Sequence, residues 1–78
     1  MKIRGASFGD VAAVRGHVNA LRAERVARLD LYRDMEKRQF PHPDGLCGPT
    51  LDQYLVLRGG IRAEENTIDW LNEVEAAL

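Results

Sequence analysis

Apolar side chains recur at alternating intervals of three and four through the first half of the chain: Val11, Val14, Val18 and Leu21, then Tyr32 and Met35, with Arg25 and Arg28 standing in the same series. That spacing draws one stripe along an α-helix. No proline interrupts the stretch, Gly16 is its one weak point, and Asp10 offers a carboxylate to the free amides of a first turn. The pattern predicts a helix over about 10–38, roughly 42 Å long. Phe40-Pro41-His42-Pro43-Asp44-Gly45 ends it, since proline cannot continue a helix and Pro-Asp-Gly is a turn sequence. Thr50 and Gln53 match a capping box, and Tyr54, Leu57, Ile61, Glu64, Ile68, Leu71, Glu75 and Leu78 repeat the three-four spacing. A second helix of similar length is predicted over about 50–78.

The expected fold is therefore all-α: an antiparallel two-helix hairpin over residues 10–78, preceded by an extended lead-in over 1–9. Facing the two stripes sets Val11 by Leu78, Val18 by Leu71, Leu21 by Ile68, Tyr32 by Leu57 and Met35 by Tyr54. The same register sets Arg25 opposite Glu64, each interrupting its own apolar stripe. Arg25, Arg28 and Glu64 then either form a buried polar layer that fixes register or stay solvated after a slight rotation of the helices. A further apolar face, made of Trp70, Val74 and Ala77 with Ala23, Val26 and Leu29, has no cover in a single hairpin. A second hairpin across a two-fold axis would cover it, so pairing into a dimer is expected. Gly59-Gly60, inside the second helix, costs about 2 kcal/mol relative to alanine. It marks either a kink or a place where another helix comes close.

Seventy-eight residues with 45% hydrophobic and 29% charged side chains suit one small domain that hides too little apolar surface to be comfortable alone. The net charge of −1 conceals an asymmetry: residues 1–40 carry nine Lys/Arg against five Asp/Glu, and residues 41–78 carry two against seven. Opposite halves suggest segments that lie against each other, and the basic half lacks the interleaved aromatics or glycines of a nucleic-acid surface. No run is long enough to span a bilayer and no apolar stretch follows the first charged residues, so a cytoplasmic protein without membrane contact is expected.

Chemistry is hard to find. Cys47 is the one cysteine, and His42, Asp44 and Cys47 share an ordinary turn without a recognised ligand spacing, so no metal and no cofactor is expected. His17 has no carboxylate or hydroxyl spaced to orient it, the paired acids are splayed around their helix, and no glycine arrangement makes a phosphate loop. An enzyme is not expected. Tyr32, Tyr54, Trp70 and Val74 are the candidates for a dimer interface or for an apolar pocket in which a flat aromatic effector could stack.

The run Leu55-Val56-Leu57-Arg58-Gly59-Gly60-Ile61-Arg62, then Glu65, then Trp70-Leu71-Asn72-Glu73, resembles the closing helix of PadR-family transcriptional regulators. Arg4-Gly5-Ala6-Ser7-Phe8-Gly9-Asp10 and Leu31-Tyr32-Arg33 look like that family too. The resemblance implies a C-terminal helical domain that dimerises a repressor and senses a small effector near the dimer interface. Such regulators place a winged helix-turn-helix ahead of this part. With none before Met1, residues 1–9 would be a linker remnant, and the chain should not read operator DNA by itself. Its partner would be a second copy or a full-length PadR-like regulator in a mixed dimer. The rival from another class is a stand-alone helical adaptor or antagonist.

Overall fold

The computed structural model describes residues 8–78. Within them the chain forms α1 (Phe8–Gln39), a short 3-10 turn (Pro43–Gly45) and α2 (Gly48–Ala77), and no strand. The all-α antiparallel hairpin expected from the spacing is what forms. It is a rod of 55 × 20 × 16 Å, a single layer of two helices.

α1 begins at Phe8, two residues ahead of the start expected at Asp10, so Asp10 sits inside the first turn, where its charge complements the positive end of the helix. The rest of the expected lead-in, residues 1–7, lies outside the described residues. Lys37 and Arg38 close the last turn, and Arg38 Nε donates to Asp34 Oδ2 one turn back at 2.8 Å. Phe40 N still donates to Glu36 O at 2.9 Å before Pro41 stops the helix. Pro43, Asp44 and Gly45 make the 3-10 turn, with Gly45 N donating to His42 O and Leu46 N to Pro43 O.

The start of α2 differs from the capping box expected at Thr50. Cys47 is the cap residue, in an extended conformation and without a side-chain cap, and the chain enters the helix through Gly48 at φ +61° with Pro49 behind it. A left-handed residue followed by proline supplies the entry that a threonine side chain would otherwise provide.

Val18, Leu29 and Phe40 of the first half and Ile61 and Leu71 of α2 are buried. On α2 the buried positions follow the predicted stripe. On α1 they do so in part: Val18 of the predicted stripe is buried, but Leu29, placed by its spacing on the outer face, fills the seam as well, while the Arg28 side chain is 47% exposed. A modest turn of α1 exchanges an arginine for a leucine inside, which removes apolar area from water and leaves the guanidinium hydrated.

α2 runs unbroken through Gly59-Gly60. At Gly60 a Cβ would stand 3.3 Å from Cε2 of Tyr32, so the missing side chain admits the tyrosine ring, whereas Gly59 faces open space. Tyr32 and Leu57, set level with each other by the spacing, both wall the cleft at this end of the hairpin. Beyond it, Tyr54 meets Phe40 edge to face, with centroids 5.5 Å apart and rings at 62°.

Candidate functional site

Helical spacing gives the hairpin two unlike flanks beside its seam. On one, α1 carries Asn19, Val26 and Arg33 and α2 carries Glu65, Asp69 and Asn72. Arg33 Nη2 donates to Glu65 Oε2 at 2.5 Å. Nearby, Arg22 donates from Nη1 to Asn72 Oδ1 at 2.8 Å and to Glu75, and from Nη2 to Asn19 Oδ1 at 2.6 Å. The hydrogen bond from Arg22 holds the Glu75 carboxyl below the usual carboxylate range, helped by the charges of Arg22 and Arg15, and the same bond raises Arg22. With Arg58 Nη1 reaching Glu36 Oε2 at 3.0 Å, these contacts join basic positions of one helix to acidic positions of the other. The charge asymmetry between the two halves of the sequence is spent here.

The other flank is nearly free of charge. Positions seven apart bring Val14, Leu21, Arg28 and Met35 to it from α1, and Val56, Ala63, Trp70 and Ala77 from α2, with Gly60, Thr67 and Val74 beside them. Val14, Val56 and Trp70 are exposed there, Val56 at 76% and Trp70 at 58%. Thr67 turns its hydroxyl back to Ala63 O at 2.9 Å, which leaves its methyl for the surface. At the loop end the flank opens into a cleft of about 430 Å³ walled by Tyr32, Met35, Phe40, Val56, Leu57 and Gly60, with Gln39 and Gln53 at its rim.

Arg28 is the charge in the middle of this flank, and it is already engaged. Glu64, 5% exposed, accepts from Arg25 Nη1 at 3.1 and 3.3 Å and from Arg28 Nη1 at 3.3 Å. The arrangement combines the two alternatives left open by the sequence: the carboxylate is inside, while the guanidinium groups stay half in water. Every buried side-chain polar atom among the described residues has a partner.

The four candidates for an interface or effector pocket do not form one site within a single hairpin. Tyr32 lines the cleft, Tyr54 packs on Phe40 near it, and Trp70 and half-buried Val74 lie more than two turns away toward the C-terminal end of α2. The second apolar face is likewise rearranged. Leu29 is buried, and Val26 falls with Arg33 on the charged flank, whereas Trp70 joins Leu21 and Val56 on the opposite one. A seven-residue count through Val56, Ala63, Trp70 and Ala77 was available in the sequence and marks this flank better than the grouping with Val26. His42, Asp44 and Cys47 follow one another along the connection, and no three potential ligands gather at metal-binding distances among the described residues. No helix among them is long and apolar enough to cross a membrane.

The pattern that defines the virulence activator alpha C-terminal family matches residues 1–78. The chain belongs to that family. This match overturns the resemblance to PadR regulators. Of the motifs that carried the resemblance, Ile61 and Leu71 are core residues that a hairpin of this period needs, whereas Leu31, Leu55, Val56 and Trp70 are exposed. A curated relative, the "Probable transcriptional regulator Rv1176c" of Mycobacterium tuberculosis (strain ATCC 25618 / H37Rv), is 64% identical over all 78 residues. The chain spans 41% of that relative's length.

Proposed function

We propose that this domain is the dimerisation part of a transcription regulator. The regulatory role rests on the relative of Mycobacterium tuberculosis, described as a probable transcriptional regulator, to which the whole chain aligns at 64% identity. The dimerisation role rests on the apolar, charge-poor flank that carries Trp70 and Val56. The five buried apolar residues among those described are a small core for a single layer of two long helices, and domains of this size generally need added stabilisation. A second copy laid on the charge-poor flank supplies it, while the charged flank stays in water.

In this reading the domain's product is a fixed geometry between two copies and not a chemical step. Two DNA-binding arms held on one dimer bind two half-sites at a high effective concentration, which raises operator affinity without any new DNA contact. A small apolar effector, if one acts, would enter the cleft beside Tyr32 and alter how the copies fit.

The test is to fuse the full chain to a DNA-binding domain deprived of its own dimerisation element and to measure occupancy of an operator with two half-sites. The fusion is expected to bind at least about tenfold more tightly than the bare domain, with no gain on a single half-site. Equal binding by both proteins would overturn the proposal.

A further inference from the structure

The cleft and the exposed tryptophan stand on the same flank, at opposite ends of α2. Val56, in the cleft wall, and Trp70 are fourteen residues apart, which on a helix is about 21 Å. Ala63 lies midway between them and shares their face. Along this face α2 offers Gly60, Ala63 and Thr67 between two bulky groups, so another helix can approach closely at the centre.

From this we infer that two copies pack α2 against α2 antiparallel, crossing near Ala63, and that Trp70 of each copy fills the other's cleft beside Val56, Met35 and Gly60. The inference rests on the dimerisation reading above and specifies its geometry. A closed two-fold interface must be self-complementary, with residue i meeting j and j meeting i. A protruding indole and an apolar cleft, equally far from a small residue, satisfy that condition. A stretch of another protein would have no reason to match the separation of these two features within one chain. Arg28, the charge nearest the centre, shares the Glu64 carboxylate with Arg25 and is held toward the seam by that contact.

Trp70 is the chain's single tryptophan, so its fluorescence reports this contact alone. Three proteins decide the matter: the wild type, Val56→Asp and Trp70→Phe, each with molar mass and helicity measured alongside emission. Val56 is largely exposed, so its substitution should leave the fold intact. The wild type should be a dimer with blue-shifted emission. Val56→Asp should weaken the dimer by about tenfold or more and shift the emission to the red. Mixing Val56→Asp with Trp70→Phe should move the emission back toward the blue, because the tryptophan-bearing chain then meets an intact cleft on its partner. A dimeric wild type whose emission and affinity ignore Val56→Asp, or an absence of recovery in the mixture, would overturn the docking and leave dimerisation standing. A monomeric wild type would overturn both.

Discussion

Arg25 reaches across the hairpin and donates from one guanidinium nitrogen to both oxygens of the buried Glu64 carboxylate. Glu64 interrupts an otherwise apolar seam, and Arg28 contacts the same carboxylate from one turn further along. The layer fixes which level of α1 faces which level of α2, at the expense of apolar packing. Replacing Arg25 and Glu64 together with leucine should therefore raise the melting temperature. Glu64→Gln alone should cost about 1 kcal/mol, and Arg25→Leu alone less, since Arg28 remains within reach. Melting curves of the three variants check this, and a drop of several degrees in the double variant would count against the layer as a register device.

Ile61, 1% exposed, is the most deeply buried side chain among the described residues. Ile61→Ala should cost about 2–4 kcal/mol by urea unfolding, a large share of the stability of a domain this small. Leu55→Ala, at a position 55% exposed, should change it by less than about 0.5 kcal/mol.

Two glycines should respond with opposite signs. A Cβ at Gly16 meets nothing within 4 Å in ordinary helical backbone, so Gly16→Ala should stabilise α1 by about 1 kcal/mol, roughly 4–8 °C for a domain of this size. Gly48 has a φ of +61°, and Gly48→Ala should destabilise by about 1–2 kcal/mol although space is available for the methyl group. Both are read by thermal unfolding.

The Arg22 pair gives a defined pH dependence. Because folding lowers the Glu75 pKa, its contribution is complete above the ordinary glutamate pKa and is lost as pH falls through the lowered folded value. Arg22, raised from a value already far above neutrality, adds no dependence near pH 7. The stability advantage of wild type over Glu75→Gln should thus be constant from about pH 8 to 5 and shrink below about pH 4.5. An advantage that grew on acidification would contradict the pairing.

Much of the architecture was legible in the chain because it depends on periodicity and punctuation. The three-four spacing, the prolines at 41 and 43 and the opposed charges of the two halves are local signals, and they specify two helices and an antiparallel return. The Arg25 and Glu64 match followed from counting alone. What spacing could not settle was the rotation of α1 about its axis, since Arg28 and Leu29 are neighbours on the helix and either can face the seam. Desolvation decides in favour of leucine, and that decision redraws the outer faces, separating Val26 from Trp70. The entry to α2 was hidden for a related reason: Thr50 and Gln53 fit a cap, but a left-handed Gly48 before Pro49 starts the helix two residues sooner. The family resemblance rested on few positions, and Ile61 and Leu71 among them are residues that the seam of any such hairpin requires.

The dimerisation role stands or falls on molar mass. Size-exclusion chromatography with light scattering should give the wild type twice the 8.8 kDa of one chain at micromolar concentration, and Trp70→Ala should shift it toward the monomer while leaving its helicity unchanged. A well-folded wild type that stays at 8.8 kDa across the whole concentration range would contradict it.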